Sequence, residues 1–513
     1  MYKDSSENIS EKETVLVWLD FGPYSYMYLA IAAELSKKGN FDFIGIVTTQ
    51  QDVSFFEKQN FVKFKKLFYY PDCYIGKTTF DIKNIKKIED KFDLQLWLDA
   101  FTERSFYKFW TYFHKFSREE ILMIIEQSLE FFIEVLEKYN PKLILMQQVG
   151  ENISNLLLYR LAKKMEIKIL MVNDIHFKNH IMISDNITNN EISNEFERRK
   201  LDFKGTIEKY DESFPRSKNY TGILKTMASF DSGIDSSSQK IIHYFKRLSN
   251  DVEPIYKNFG KSRGKMLKHR MHNYFEFKKR EKFLEKNTLR EISDEKFLYF
   301  PLQSEPEAAI LMNSSFYSNQ IGIIENIAKA IPIDYVLYVK EHPLQKIKLW
   351  RPIKDYQKII DIPNVKFFHP NVNAQEILKK SKGIISISGA TGFEALFYKK
   401  PVILFSNDHY DGLSMVTKVN TMNELPKTIV KAISDFRFNQ DELGIFMGIL
   451  KEKSLPVVWY EIMKDAVSIS SIQRNHQKFE LTEQNFEKFL EKHNEGFKLI
   501  VDEIFLKYQK KNK

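Results

Sequence analysis

Short apolar runs alternate with longer amphipathic runs in the first part of the chain. Strands are predicted over residues 15–19, 43–48, 142–146 and 168–172. Helices are predicted over residues 24–37, 119–138 and 152–165. Because strands and helices follow one another in this order, we expect a parallel sheet with right-handed crossovers. Residues 55–116 are rich in aromatic side chains, and their pattern gives no ordered prediction.

The same alternation returns near residue 296. Strands are predicted over residues 297–301, 335–340, 365–368 and 384–387, with a further strand in the segment KPVILF. Helices are predicted over residues 318–330 and 374–380, and another is expected to begin near Phe393. This order is typical of a doubly wound α/β sheet. The fold class predicted is therefore α/β, with two Rossmann-like doubly wound domains.

The stretch between these parts has a different composition. Glu, Lys and Arg dominate residues 190–287, and no strand pattern appears there. The predicted division is a Rossmann-like domain over residues 1–189, a helical insertion or linker over 190–290, a second Rossmann-like domain over 291–435, and helices over 436–513. The final amphipathic run, over 484–508, is expected to cross back onto the first domain.

The charge and the single cysteine narrow the class of protein. The 513 residues carry a formal net charge of +9, spread over many short lysine runs. That favours anionic partners such as acidic sugars or membrane headgroups, and no nucleic-acid motif accompanies it. Cys73 is the only cysteine, which fits a reducing compartment. With a polar N-terminus and no apolar run of about 18 residues, we expect a cytoplasmic protein, peripheral to the membrane at most.

Two histidines, His176 and His180, stand four residues apart after the predicted strand over 168–172. On a helix this spacing would place both on one face, where they could bind a metal ion. The segment follows a strand directly and has no carboxylate pattern to orient such ligands. We therefore expect a loop that lines a cleft and no metal site.

Residues 388–392, Ser-Gly-Ala-Thr-Gly, join a buried strand to the start of a helix. Such a turn aims backbone amides and the positive end of the helix dipole at one spot, which suits an anion such as phosphate. The same residues also fit a capping box, in which Thr391 caps the helix and Glu394 folds back onto the cap amide. The pattern is neither a Walker loop nor GxGxxG, and the spacing leaves both readings open.

Three loops of the second part are expected to meet at the carboxyl edge of its sheet. They are residues 301–307, residues 340–343 and the turn with its flanks, 386–394. Strand alternation places Lys340 and His342 on one side, where a cation and an imidazole suit a phosphate or carboxylate. It places Glu341 on the other side, as a structural residue. A lone histidine at a strand end is more often structural, but the neighbouring loops favour a functional His342.

Glu305 and Glu307 are the acids best placed to reach a sugar in this cleft. The alternative for both is a solvated loop. Chemistry at an anomeric carbon needs a carboxylate, either as a base for the acceptor hydroxyl or as a nucleophile. It also needs groups that stabilise the charge of the leaving phosphate, which the other two loops would supply.

The segments FPLQSEPE, VKEHP and ISGATGFEAL, followed by KPVILF and a loop with an aromatic residue, resemble the capsule polysaccharide biosynthesis family. That family looks like the GT-B glycosyltransferases and includes the bacterial Kdo transferases of capsule assembly. It is more distantly similar to bacterial sialyl- and polysialyltransferases with a His-Pro motif. The resemblance covers residues 297–410. This chain has Ser-Glu-Pro-Glu where the Kdo transferases tend to show an acidic run with Asp.

The resemblance implies a GT-B-like fold, with an acceptor-side first domain and a nucleotide-sugar donor, often CMP-activated, in the second. It implies that Lys340 and His342 contact the donor phosphate and that Glu394 bonds the ribose. Glu305, Glu307 and His342 are the implied catalytic residues. The further donor-binding residues are Gln303, Ser386, Ser388, Gly389, Thr391 and Gly392. Neither a metal ion nor another cofactor is expected.

These observations predict a glycosyltransferase that moves a sugar from a nucleotide-sugar donor to a growing surface or capsular polysaccharide, or to its lipid-linked acceptor. Two alternatives come from other classes. One is a UDP-sugar 2-epimerase, which also places a nucleotide sugar between two α/β halves. The other is a non-catalytic glycan-binding scaffold of a capsule assembly complex.

Overall fold

The computed structural model describes most of the chain. The described residues are 12–20, 22–106, 114–150, 152–175, 177–187, 190–202, 263–305, 307–346, 350–469 and 482–510. Residues 203–262, which make up most of the predicted insertion, lie outside this set.

The first half of the chain forms a six-stranded sheet. Its strands are β1 (Glu13–Leu19), β2 (Phe41–Val47), β3 (Phe64–Tyr69), β4 (Leu143–Gln147), β5 (Lys168–Asp174) and β6 (Ile181–Ser184). The order is β3-β2-β1-β4-β5-β6, in which β5 and β6 are antiparallel and the other neighbours are parallel. The central strands are apolar on both faces because helices cover both sides of the sheet.

The helices of this half are α1 (Pro23–Leu35), α2 (Gln50–Lys58), α3 (Ile82–Lys91), α4 (Leu96–Ala100), α5 (Arg118–Tyr139), α6 (Ile153–Lys164) and α7 (Asn190–Asp202). A short 3-10 helix spans Tyr70–Cys73. The bounds of α5 follow from its caps. Ser117 and Glu120 form a capping box at its start, and Asn140 ends it in the left-handed conformation with φ 41°.

The second half forms another six-stranded sheet. Its strands are β7 (Phe297–Pro301), β8 (Val336–Lys340), β9 (Val365–Phe368), β10 (Ile384–Ser386), β11 (Val402–Leu404) and β12 (Val416–Lys418). Their order is β12-β11-β10-β7-β8-β9, and every neighbouring pair is parallel.

The helices from residue 263 onward are α8 (Arg263–Asn287), α9 (Ala308–Leu311), α10 (Gln320–Ala330), α11 (Ile353–Ile360), α12 (Ala374–Lys380), α13 (Ala390–Phe397), α14 (Leu425–Ser434), α15 (Gln440–Lys453), α16 (Trp459–Ile469) and α17 (Glu483–Gln509). Short 3-10 helices span Ser315–Tyr317, Pro343–Lys346 and Met422–Glu424.

Two shared cores connect the halves. Trp459 of α16 and Phe497 of α17 are buried with apolar residues of α1 and β1, so the end of the chain packs against the first sheet. Phe196 of α7 belongs to the core of the second half, where its ring centroid lies 5.8 Å from that of Phe446 in α15. Burial of such aromatic side chains is a main source of stability at a contact of this kind.

The two mostly parallel sheets with covering helices confirm the predicted fold class of two Rossmann-like halves. The strand over Phe297–Pro301 and the helix over Ala374–Lys380 have their predicted bounds. The start of α13 was misplaced: it begins at Ala390 and not near Phe393, because Gly389 supplies the turn into the helix.

Candidate functional site

The strand order of the second sheet reverses between β7 and β10. These strands are neighbours, although the chain leaves β7 toward β8 and β9. The loops after β7 and β10 therefore border a crevice, and ligands of open α/β sheets bind at such a point. Gln303 joins the two loops, since its Nε2 donates to the carbonyl oxygen of Ser388 at 2.6 Å and to Oγ of Ser386 at 3.3 Å. The structure thus brings Gln303 and the glycine turn together.

Gly389 is the N-cap residue of α13, with φ 95° and ψ 176°. Residues with a side chain rarely adopt this conformation, so the turn requires glycine. The Gly389 amide donates to Oδ2 of Asp408 at 2.8 Å and is therefore committed to a carboxylate of the chain itself. The first-turn amides of Ala390 and Thr391, which have no intrahelical acceptor, are the donors that the turn offers to a ligand.

Asp408 is an anion seated at the start of α13. Its Oδ1 lies 2.7 Å from Nδ1 of His409 and accepts the His409 amide at 2.8 Å. Burial by itself would raise the pKa of the Asp408 carboxyl, but the His409 side chain and the amides of Gly389 and His409 outweigh it and lower the pKa. The carboxylate therefore stays ionised and holds the turn in place.

Packing explains why residue 392 is a glycine, which the sequence pattern did not reveal. A Cβ at this residue would stand 2.3 Å from the hydroxyl oxygen of Tyr410. That hydroxyl donates to the carbonyl oxygen of Gly389 at 2.8 Å. Gly392 thus allows Tyr410 to reach and fix the turn.

Replacing Gly392 by alanine is expected to lower the free energy of unfolding by about 1–3 kcal/mol, because the new methyl group overpacks the contact with Tyr410. Urea denaturation of both proteins measures the difference. Gly448→Ala is the matched control, since Gly448 lies within α15 and a Cβ there would meet nothing within 4 Å. The control should be stabilised by up to about 1 kcal/mol, and an equal response of the two variants would contradict the packing role.

Two buried hydroxyls on these loops, those of Ser304 and Ser388, have no hydrogen-bond partner among the described residues. Ser386 differs, because its Oγ donates to the carbonyl oxygen of Ser388 at 2.7 Å. A buried polar group without a partner costs about 1–3 kcal/mol. Such groups in a folded protein need an explanation, and a polar ligand at the crevice is one.

The loop after β8 holds His342 through its neighbours. The His342 amide donates to Oε1 of Glu341 at 2.7 Å, and its ring Nδ1 accepts the Leu344 amide at 3.2 Å. Because Nδ1 is an acceptor, the neutral ring carries its proton on Nε2. Lys340 is buried, and its Nζ donates to the Glu341 carbonyl oxygen at 3.4 Å.

Arg351 ties the loops after β7 and β8 together. It is 5% exposed, and its guanidinium donates to Oε2 of Glu341 at 2.8 Å, contacts Oε1 of Glu305 at 3.0 Å and donates to the carbonyl oxygen of Gln303 at 2.6 Å. Burial would lower the pKa of Arg351, but the carboxylates of Glu341 and Glu305 raise it. Tyr356 also donates to Oε2 of Glu341, at 2.9 Å. The structural role predicted for Glu341 is confirmed.

The two candidate carboxylates have different surroundings. Glu305 is 6% exposed, and besides its contact with Arg351 its Oε1 accepts Nε2 of Gln320 at 2.5 Å. Glu307 is half-buried, and its carbonyl oxygen accepts the amides of Ile310 and Leu311, the last two residues of α9, each at 3.0 Å. Met312, directly after α9, packs against the core of the first half, so the segment that begins at Glu307 ends at a contact between the halves.

The capping-box reading of Thr391 and Glu394 is wrong. The cap is Gly389, whose amide is bonded by Asp408 and not by Glu394, and Thr391 is already inside α13. Glu394 lies more than one turn into the helix, buried, where its Oε1 accepts Nε2 of Gln375 from α12 at 3.1 Å. The implied contact of Glu394 with a ribose stays a prediction.

Sequence reasoning missed several residues of this region. His369 follows β9 as His342 follows β8, and its Nδ1 likewise accepts the amide two residues on, at 3.1 Å. The repeated His-Pro dipeptide at the ends of adjacent strands was a signal for it. Sequence reasoning also missed Arg351, Asp408 and Tyr410. The partners that tie them to the site, Gln303 for Arg351 and Gly389 for the other two, lie 48, 19 and 21 positions away.

The described part of the histidine segment is not helical. Residues 177–180 form a turn before β6, and Nδ1 of His180 lies 2.8 Å from Oγ of Ser454. His176 is outside the described residues. No group of three or more His, Cys, Asp or Glu suited to a metal ion occurs in the described part of the chain. Within that same part, every helix is too short or too polar to cross a membrane.

Similar structures share only low identity with this chain. A β-Kdo 2,7 transferase, KpsC of Thermosulfurimonas dismutans, is 12% identical, with 76% of this chain and 97% of that chain covered and a TM-score of 0.30. The UDP-GlcNAc 2-epimerase of Methanocaldococcus jannaschii is 14% identical, with 86% and 99% covered and a TM-score of 0.24. TM-scores this low do not show a shared fold. The fold class is established by the two sheets of this chain. No curated protein sequence matches the chain.

The family comparison is more informative. Residues 239–431 match the family model described as capsule polysaccharide biosynthesis protein. This range contains the loops after β7, β8 and β10, with the crevice between them. The resemblance to the capsule polysaccharide biosynthesis family is therefore confirmed over residues 239–431, the part of the chain that builds the candidate site.

Proposed function

We propose that the protein is a metal-independent glycosyltransferase of capsule polysaccharide synthesis. It takes a sugar from a nucleotide-sugar donor, with a CMP-activated sugar as the first candidate, and adds it to a surface or capsular polysaccharide or its lipid-linked precursor at the cytoplasmic face of the membrane. The observation that carries the proposal is the crevice at the strand-order reversal, bordered by a glycine turn and unpartnered serine hydroxyls within the range that matches the family. Sheet edges of this kind bind nucleotides.

The donor phosphate is proposed to bind between the turn and the loop after β8. The amides of Ala390 and Thr391 and the hydroxyl of Ser388 would donate to its oxygens, as helix N-termini do for phosphates. His342 supports the same role because its Nε2 carries the proton in the neutral ring. Lys340 adds a positive charge nearby, and Glu394 would accept hydrogen bonds from the ribose hydroxyls.

Glu307 is proposed as the carboxylate at the anomeric carbon. In the transfer, the bond from that carbon to the donor phosphate breaks and its electron pair leaves with the phosphate. The acceptor oxygen forms the new bond, and its proton passes to a base. Glu307 supports this role because it is half-buried on the loop after β7, directly before α9. Glu305, held by Arg351 and Gln320, supports a positioning role.

Nucleotide binding provides the first test. CMP, UDP and GDP are compared for their effect on the thermal unfolding midpoint, because a ligand that binds only the folded state stabilises it by about 2.7 kcal/mol at a hundredfold excess over Kd. We expect one nucleotide to raise the midpoint of the wild type. His342→Ala should weaken its affinity roughly 10- to 100-fold through loss of a hydrogen bond to a charged group.

His272→Ala, at an exposed position of α8, is the control and should bind like the wild type. No shift with any nucleotide, or equal affinities for the two variants, would contradict the phosphate assignment. Incubation with a nucleotide sugar and no acceptor then separates the reaction classes. A sugar epimerised at carbon 2 without acceptor would overturn the transferase assignment in favour of an epimerase.

A further inference from the structure

Helix α8 presents one long exposed stripe. Residues 268, 271, 275, 279, 282 and 286 follow one another at spacings of three or four, which places them on one face. They are Lys268, Met271, Phe275, Lys279, Lys282 and Lys286, and all are exposed. At 1.5 Å per residue the stripe is about 27 Å long. We call it the lysine stripe.

The opposite face fixes the helix to the second half. Leu284 is buried in the core of that half, with Phe277 and Phe283 packed against the same core. Arg280 is buried and donates to the carbonyl oxygen of Trp350 at 2.7 Å. These contacts prevent α8 from turning its other side outward, so the lysine stripe is a fixed surface of the protein.

The charges of the lysine stripe are not neutralised locally. Within the described residues, Lys268, Lys279, Lys282 and Lys286 have no carboxylate oxygen within 4.0 Å. The acids of α8 are engaged elsewhere, as Glu276 pairs with Arg280 and Glu281 pairs with Lys278 and Lys346. Unpaired lysines on one face call for an anionic partner.

Two large apolar side chains lie among these lysines. Phe275 is 64% exposed and Met271 is 54% exposed. Tyr274 lies beside them, 39% exposed, with its ring centroid 5.6 Å from that of Phe275. Apolar and aromatic side chains between lysines are typical of a helix that lies in the interface of a bilayer. A purely electrostatic contact would not need them.

The charge of the segment before α8 argues against that segment as the partner of the lysine stripe. Residues 203–262, outside the described set, carry ten Lys and Arg against seven Asp and Glu, so they repeat the positive sign of the lysine stripe. We propose that the lysine stripe docks the protein on an anionic lipid bilayer, with Phe275 and Met271 inserted between headgroups. This inference goes beyond the transferase assignment and does not depend on it.

Vesicle flotation tests the docking with the full chain and no sugar substrate. The protein should float with vesicles of phosphatidylcholine and phosphatidylglycerol in equal amounts, but not with phosphatidylcholine alone. Lys279→Gln together with Lys282→Gln should weaken binding roughly 25-fold, since each basic residue near an anionic surface contributes roughly fivefold, or about 1 kcal/mol. Phe275→Ser should also weaken binding, with the loss persisting at high salt, where charge is screened.

The matched control is Lys427→Gln with Lys431→Gln, which removes the same charge from exposed positions of α14. It should leave flotation near that of the wild type. Equal losses in both double variants would overturn the proposal, because they would show a general charge effect. So would flotation with phosphatidylcholine alone, absence of flotation with either vesicle, or an unchanged response of Phe275→Ser. Displacement from vesicles by a soluble acidic polysaccharide at low concentration would assign the stripe to a glycan instead.

Discussion

Replacing Arg351 by methionine is expected to lower the free energy of unfolding by about 3–5 kcal/mol, because it leaves two buried carboxylates without their cation. Glu341 is fully buried and Glu305 is 6% exposed, so water cannot take over the role of the guanidinium. Arg351→Lys should recover only part of the loss, since one ammonium cannot reproduce the separate contacts to Glu341, Glu305 and the Gln303 carbonyl. Urea denaturation followed by tryptophan fluorescence measures these differences.

Tyr356→Phe is the matched control for the same network. It removes two hydrogen bonds, the one that the hydroxyl donates to Glu341 and the one that it accepts from the Arg351 amide at 3.0 Å, and leaves the ion pairs in place, so a loss of about 2 kcal/mol is expected. If Arg351→Met destabilises the protein no more than Tyr356→Phe, Arg351 does not hold the two loops together. A methionine variant that is as stable as the wild type would contradict the account of buried charges altogether.

Replacing Glu307 by glutamine is expected to lower kcat of sugar transfer by about 10²–10⁴-fold with little change in stability, if Glu307 moves the proton of the acceptor hydroxyl. Glu305→Gln is the partner experiment. It weakens the contact with Arg351, so the thermal midpoint should fall while kcat drops much less. Steady-state kinetics and thermal unfolding of both variants separate the two effects.

The opposite result has a clear meaning. If Glu305→Gln abolishes turnover at an unchanged midpoint while Glu307→Gln stays active, the carboxylate roles are reversed. If both variants turn over like the wild type, neither carboxylate takes part in the reaction. Nucleotide affinity, measured separately by the midpoint shift, shows whether a loss of turnover arises from binding or from chemistry.

Element types and several bounds could be predicted because the local pattern encodes them. The run Phe297–Pro301 is buried throughout, and polar residues begin two positions after it, at Gln303. Helix α12 has Asn373 as its cap and ends at Lys380 before the polar pair 381–382, so both ends were readable. The start of α13 misled the prediction, because Thr391 and Glu394 have capping-box spacing while the chain turns at Gly389.

Contacts between distant residues could not be predicted. Arg351 lies 48 positions from Gln303, and no spacing rule links them. Glu305 and Glu307 looked equivalent in the sequence, yet Glu305 contacts Arg351 and Gln320, while Glu307 directly precedes α9. The sequence suggested that the Gly389 amide is available to an anionic ligand. In the structure this amide donates to the Asp408 carboxylate.

The sequence by itself determined two α/β halves, a glycine turn at a strand end and the loops that follow β7 and β8. Hydrophobic periodicity and the backbone freedom of glycine act over a few neighbouring residues, so both can be recognised in the sequence. The tertiary structure alone decided the strand order, the reversal between β7 and β10, and which polar groups are already bonded inside the protein. Those features depend on how distant segments pack. The same packing decides which polar side chains can still form hydrogen bonds with a ligand.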